Sequence, residues 1–185
     1  ISSVLNNQSF HIGIGQKLAR ANTKGAENQL SKIGWVGSAK VNRNWFSRSI
    51  SVSITVRKPV AKLQGTSQGA DQYIDSAGTI YLSNVPNLSL PIVQLSNPNQ
   101  SNIAANFISH APAEILSNMQ LLTVDEAAAL KMQIQNNGNS LMINWGANQN
   151  IAIKAAIFSR LIALPENNKI SLIDLSDPKY PIVKN

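Results

Sequence analysis

The chain has 185 residues, 43% of them hydrophobic and only 14% charged, so its length suits one large domain or two small ones with an ordinary apolar core. It contains no cysteine, which excludes a disulfide scaffold, a thiolate zinc site, an iron–sulfur cluster and a cysteine nucleophile. The net charge of +7 is uneven, because residues 1–58 hold nine Lys or Arg and one acid, Glu27, whereas residues 59–185 hold seven bases and eight acids. A basic first third would attract nucleic acid, an anionic membrane surface or an acidic protein.

Residues 1–58 predict a small α+β module of order β-α-α-β-β. Its predicted elements are a strand at 1–5, helical pieces at 18–19 and 26–33, a strand at 35–41, a turn at 42–45 and a strand at 50–56. Ala26, Leu30 and Ile33 share one helical face. The last strand alternates β-branched apolar residues with hydroxyl residues, which is typical of a half-buried antiparallel strand.

Residues 59–185 predict a mostly antiparallel β domain with flanking helices. Its predicted elements are a hairpin at 73–81, an extended piece at 90–93, helices at 103–110 and 152–164, strands at 119–124, 129–134 and 140–143, and a final strand at 170–175. The second helix is expected to bury a face that comprises Ile153, Ala156, Ile157 and Leu161. Lys154 and Arg160 are expected to face water.

No spacing of residues in the sequence indicates catalysis or metal binding. The two histidines, His11 and His110, lie far apart, and no nucleophile elbow, P-loop, EF-hand loop or zinc spacing occurs. The carboxylates fall mainly in turns, where exposure to solvent explains their presence. The sequence therefore predicts a protein that is not an enzyme and that uses no metal, cofactor or small-molecule substrate.

Nucleic-acid binding is considered because Trp35, Trp45 and Phe46 lie among basic residues of the first module. No RNA-recognition or zinc-finger motif accompanies them, and Trp35 opens a predicted strand, where a core role is expected. Nucleic acid is therefore not a predicted partner.

Several segments, in order, resemble the extracytoplasmic part of the bacterial cell-division family FtsQ, also called DivIB. Residues 35–45 are similar to that family's W-V-x-x-A-x-V-x-R-x-W-P motif, and residues 56–61 to its junction E-R-x-P-V-A. The further similar segments are Tyr73 to Tyr81, Leu90 to Val93, Lys154 to Leu164 and Ile170 to Val183. Each motif is short, and the specificity comes from their order and spacing.

The resemblance implies a POTRA module at 1–58 followed by an FtsQ-type β domain at 59–185. It also implies a non-enzymatic scaffold that links early and late division proteins and binds the bitopic partners FtsB and FtsL outside the membrane. In that family a single membrane helix precedes both domains, so this chain is expected to be the extracytoplasmic part of a single-pass membrane protein. The alternative is a POTRA-type binding module of an export or outer-membrane assembly system.

Two candidate surfaces follow from these expectations. Lys40, Arg43 and Arg48 are expected to form a basic face against anionic lipid headgroups. The final strand is expected at a sheet edge, because Pro178 and Pro181 limit further pairing, so that a partner segment can add a strand there. The last strand region is also the docking surface for FtsB that the resemblance implies. The residues predicted to bind the partner are Leu172, Ile173, Asp174, Leu175, Ser176 and Asp177, with the preceding helix as a wall.

Overall fold

The computed structural model describes residues 1–5, 8–65, 71–83, 89–136 and 138–185. The chain divides into two compact units, Ile1–Arg57 and Lys58–Asn185. Each unit combines helices with a β-sheet, so the protein belongs to the α+β class. The division between the units lies one residue before the boundary expected from the sequence.

The first unit packs a short helix against a two-stranded antiparallel sheet. Its elements are α1 (Ser2–Leu5), α2 (Thr23–Leu30), β1 (Val36–Asn44) and β2 (Ser49–Val56), with 3-10 turns at Gln8–Phe10 and Leu18–Arg20. The strand expected at residues 1–5 is wrong, because Leu5 donates its backbone N–H to the carbonyl of Ile1 in a helical turn. Apolar periodicity in so short a segment does not separate a helix from a strand.

Helix α2 buries the two residues that its spacing predicts. Ala26 and Leu30 are fully buried and form a small core with Phe10 and Val41. The side chain of Asn22 caps the helix by accepting a hydrogen bond from the Gly25 N–H at 2.9 Å.

The second unit is built on one large sheet. Its strands are β3 (Pro59–Leu63), β4 (Gln72–Asp75), β5 (Ile80–Leu82), β6 (Ile92–Leu95), β7 (Met119–Val124), β8 (Leu130–Asn136), β9 (Asn139–Gly146), β10 (Leu172–Asp174) and β11 (Ile182–Lys184). Its helices are α3 (Ser101–His110), α4 (Ala113–Asn118) and α5 (Ile151–Ile162). The sequence patterns did not predict α4 or β11.

The strand order across this sheet is β11-β10-β9-β8-β7-β6-β3-β4-β5. The pairs β3–β6, β6–β7 and β9–β10 are parallel, and the other pairs are antiparallel. The expected mostly antiparallel domain is thus a mixed sheet. The connection from β6 to β7 contains α3 and α4, and that from β9 to β10 contains α5, whereas β3 is joined to β6 through the strands β4 and β5.

The main core lies on one face of the sheet, beneath the helices. Phe107 of α3, Ile115 of α4 and Phe158 of α5 are buried in one cluster with the strand residues. Trp145 of β9 is fully buried and meets Phe107 edge to face, with ring centroids 5.2 Å apart. Aromatic pairs favour this arrangement, so the contact holds α3 against β9.

Helix α5 turns a face to the core that matches the expected one only in part, since Ile157 and Leu161 do pack against the core. Ile153 is exposed, whereas Ala155 and Phe158 are buried and Lys154 is only 2% exposed. The expectation that Lys154 faces water is therefore wrong. The helix is rotated because the Lys154 ammonium group has carbonyl partners inside the unit.

The β4–β5 turn docks against the start of α3 through Gly78. Asp75 accepts backbone hydrogen bonds from Ala77 at 3.0 Å and Thr79 at 2.8 Å, and Ser101 donates its hydroxyl to the Gly78 carbonyl at 2.6 Å. Gly78 has φ +81°, and a Cβ atom there would lie 2.5 Å from the Cα of Asn102. No side chain fits without displacing the helix start.

Substituting Gly78 tests this docking, and Gly138 supplies a matched control. Both glycines have φ +81°, but a Cβ at Gly138 meets nothing within 4 Å. We expect Gly138→Ala to lower the free energy of unfolding by about 1 kcal/mol, since only the backbone is strained. Gly78→Ala should cost at least about 2 kcal/mol more, because the helix must also shift. Urea unfolding measures both, and equal costs would contradict the close approach.

Candidate partner-binding site

The end of the sheet is formed by β11 and not by β10. Leu172, Ile173 and Asp174 of β10 pair with β9 on one side and with β11 on the other. The expected edge position of β10 is therefore wrong. Pro178 and Pro181 lie in the connection before β11, where they leave the chain free to return and pair antiparallel to β10.

The six residues predicted to bind a partner fall into two groups. Ile173 and Leu175 are fully buried in the core, so their side chains are not available at the surface. Leu172 and Asp174 are half-buried on the opposite face of the sheet, and Ser176 and Asp177 are exposed in the loop that follows. Alternation along the strand separates the groups, because neighbouring side chains point to opposite faces.

The face of the sheet opposite the helices carries two rows of side chains at this end. One row crosses the strands as Met142, Leu172 and Lys184, and the other as Asn144, Asp174 and Ile182. Met142 and Lys184 are exposed, and Ile182 on β11 is 52% exposed. An edge strand with an apolar and a basic side chain on one face is therefore accessible.

Asp174 is the anchor of this surface. Its carboxylate accepts hydrogen bonds from the Asn144 side-chain amide at 3.0 Å and from the Ser176 N–H at 2.9 Å. Burial raises the pKa of Asp174, but the hydrogen bonds from Ser176 and Asn144, with the charge of Lys184, outweigh it and hold the pKa below 3.8. The carboxylate is charged and fixes the turn that leads out of β10.

Lys154 lies beneath this end of the sheet and joins α5 to β9. Its ammonium group donates hydrogen bonds to the carbonyl of Trp145 at 2.5 Å and that of Ala147 at 3.1 Å, and it lies 5.7 Å from the Trp145 ring centroid. Burial lowers the pKa of Lys154, and the charges of Asp174 and Asp177 offset part of that effect. The buried cation thus links α5, β9 and the loop after β10.

Sequence reasoning missed the residues that form the true edge. Tyr180 and Ile182 are both exposed at the start of β11 and in the turn before it. The available signal was the short apolar pair Ile182-Val183 after Pro181, since a proline before a strand is typical of a sheet edge. Three residues are too few for alternation to reveal such a strand.

The three residues of the predicted basic face do not share a surface. Lys40 and Arg48 are exposed, but Arg43 is half-buried on the face of β1 that packs on α2. Its guanidinium donates to the Ala21 carbonyl and lies 5.0 Å from the Trp45 ring centroid. Lys40 lies on the opposite face of β1 from Arg43, so the expectation of one continuous face is wrong.

The described parts of the chain offer neither a metal site nor a membrane span. Within them, no group of three or more His, Asp or Glu side chains could hold a metal ion. None of the helices there is both long and apolar enough to cross a bilayer.

No protein-family model matches the chain, and no curated protein matches it. Among solved structures, the chain is similar to the major extracytoplasmic domain of the bacterial cell division protein DivIB, trans isomer, from Geobacillus stearothermophilus. The match covers 62% of this chain and 98% of that domain, with 11% sequence identity and a TM-score of 0.40.

Replacing Lys154 tests its role under this surface. Lys154→Met should lower the free energy of unfolding by about 1–3 kcal/mol, because the carbonyls of Trp145 and Ala147 lose a buried donor. Arg160→Met, which removes an exposed cation from the same helix, should change it by less than about 0.5 kcal/mol.

The stability difference between the wild type and Lys154→Met should change with pH in a defined direction. Because the pKa of Lys154 is lowered from 10.5 in the folded protein, the unfolded chain binds more protons just below pH 10.5, and stability rises with pH there. The stability difference between the wild type and Lys154→Met should widen as pH rises through that range. A constant difference in denaturant unfolding would contradict a buried, desolvated ammonium group.

Proposed function

We propose that the chain is a non-enzymatic scaffold of the FtsQ/DivIB type that binds the extracytoplasmic segment of an FtsB- or FtsL-like division protein. The partner adds a strand to β11. Two observations support this proposal: the order of the division-family motifs along the sequence, and the two α+β units that the chain forms. The observation that carries it is the accessible edge of β11 at the end of the large sheet.

Backbone geometry favours strand addition at this place. Among the described strands, β11 pairs with β10 alone, so its outer side presents N–H and C=O groups to an incoming chain. A partner strand gains its affinity from those groups and its register from side chains. The edge is short, as edges that avoid indiscriminate pairing are, which suits a partner with a defined register.

Side chains on the open face indicate the chemistry of the partner. Ile182 offers an apolar contact and Lys184 a positive charge, two residues apart on the same face. A partner strand with an apolar residue and a carboxylate at matching positions pairs with both. Leu172 and Asp174 lie one strand inward, where a longer partner side chain reaches them. Ser176 and Asp177 border this surface in the exposed loop.

The first test replaces the apolar contact on the edge. Ile182→Lys should weaken binding of the FtsB-like segment about tenfold, because apolar burial against the partner is lost. Leu82→Lys on β5, at the opposite end of the sheet, is the matched control, since Leu82 is 53% exposed and Ile182 52%. Calorimetric titration of the full chain, with the FtsL-like segment also supplied, gives both affinities.

A second arm tests the backbone contacts. Two partner segments are compared, one N-methylated at its odd residues and the other at its even residues. Only one of the two should lose binding, since strand addition uses every second N–H. Loss of binding with Leu82→Lys and not with Ile182→Lys would place the site on β5, and equal loss with both would contradict addition at β11. Absence of binding with both partner segments present would contradict the division-scaffold proposal itself.

A further inference from the structure

The end of the β1–β2 hairpin carries large apolar side chains with little protein around them. Trp45 and Phe46 lie in the turn between the strands, and Phe46 is 102% exposed. Ile14, in the loop that follows the first 3-10 turn, is 108% exposed and lines the same cleft as Trp45. Single exposed apolar residues are ordinary, but three large ones, two in this turn and one across the cleft beside it, mark an interaction surface.

The turn holds these side chains in a fixed position. The Asn44 side-chain oxygen accepts hydrogen bonds from the backbone N–H groups of Phe46 at 3.0 Å and Ser47 at 3.1 Å. The hydroxyls of Ser47 and Ser49 lie 2.7 Å apart in a hydrogen bond, and Arg48 closes the turn with φ +52°. The exposure of Phe46 is therefore built into the turn, because its backbone is tied on both sides.

A cleft of about 740 Å³ separates the hairpin end from the loop that carries Ile14. Its walls are mainly apolar, with Ile12, Leu18 and Ile50 between the two rims. Ile14 stands between Gly13 and Gly15, so its side chain extends without crowding from its neighbours. The two rims present apolar tips on either side of an apolar floor.

Positive charge surrounds these tips. Arg48 lines the cleft, and Lys17 is exposed between the lining residues Gln16 and Leu18. Glu27 is the only acid among the first 58 residues, and its carboxylate accepts a hydrogen bond from the Val41 N–H at 3.1 Å. The sole negative charge of the unit is thus engaged by the β1 backbone, and an anionic partner meets cations at the rim.

We propose that this hairpin end, together with the Ile14 loop, binds the surface of an anionic phospholipid bilayer. Trp45, Phe46 and Ile14 enter the boundary between headgroups and acyl chains, where aromatic residues partition favourably. Arg48 and Lys17 remain at the level of the lipid phosphates and add electrostatic attraction. Neither apolar insertion nor a few charges alone gives firm binding, and this site combines the two.

The geometry favours a bilayer over nucleic acid or a folded protein. The Arg43 guanidinium already lies over one face of the Trp45 ring, so a base has only the other face on which to stack. Phe46 and Ile14 project as separate tips, whereas a protein interface needs a continuous packed patch. Isolated tips fit a fluid surface that closes around each of them.

Vesicle binding by the full chain tests the proposal. Vesicles that contain phosphatidylglycerol should bind the chain and shift the Trp45 emission to the blue, and vesicles of phosphatidylcholine alone should bind it far more weakly. Trp45→Phe should abolish the shift, because Trp145 is buried and Trp35 is half-buried at the other end of the hairpin. Phe46→Ser should weaken binding about tenfold. Val56→Ser is the control, since Val56 is 56% exposed, close to the 59% of Trp45. Val56 lies at the far end of β2, so this change should leave vesicle binding unchanged.

Two substitutions that each remove one positive charge distinguish a local contact with lipid from an effect of net charge. Arg48→Asn should weaken vesicle binding about fivefold, and asparagine tolerates the positive φ at this position. Lys40→Asn removes the same charge from the opposite face of β1, roughly 13 Å along the strand from Asn44, and should have little effect.

Equal weakening by Arg48→Asn and Lys40→Asn, or unchanged binding by Phe46→Ser, would overturn the proposal. Binding to a DNA oligonucleotide at least as tight as to the vesicles, and insensitive to Phe46→Ser, would replace it with general polyanion binding. The proposal does not rest on the division-scaffold function, because its residues lie in the first unit and the partner-binding variants lie in the second.

Discussion

A buried ammonium group organises the end of the large sheet. Lys154 donates to the carbonyls of Trp145 and Ala147, and so ties the start of α5 to the end of β9. Burying a cation is costly unless its donors are satisfied, so α5 is held in the one rotation that brings Lys154 to those carbonyls. The segment that leaves α5 then returns beside β9 as β10. The position of the edge strand follows from that return.

At this end of the sheet β10 is paired on both sides, and only the short strand β11 is left as an edge. β10 joins β9 in parallel, and its turn is held by the carboxylate of Asp174. The loop presses closely on β9, since a Cβ at Gly146 would lie 2.9 Å from the Cα of Ser176. The short strand β11 covers β10 and becomes the new edge. An edge of three residues presents few unpaired backbone groups, which limits indiscriminate pairing with other chains.

Two charged side chains of the first unit make contacts inside the unit and do not contribute to its exposed charge. Glu27 is bonded to the β1 backbone, and Arg43 is bonded to the Ala21 carbonyl and lies over Trp45. These contacts stabilise the packing of α2 on the hairpin. They leave Arg48 and the aromatic pair at the hairpin end, where the Asn44 side chain fixes the turn. The number of basic residues in this unit therefore does not give the charge that its surface presents.

Local patterns in the sequence determined the α+β class, the β2 strand by its strict alternation, the buried pair Ala26 and Leu30, and most strands of the large sheet. These features depend on neighbours in the chain, so periodicity reveals them. Tertiary structure alone decided that β11 pairs with β10, that Lys154 is buried and that Arg43 turns inward. Each depends on a partner distant in sequence or on a segment too short for periodicity, because carbonyls, rings and strand edges that satisfy a side chain exist only after the chain has folded.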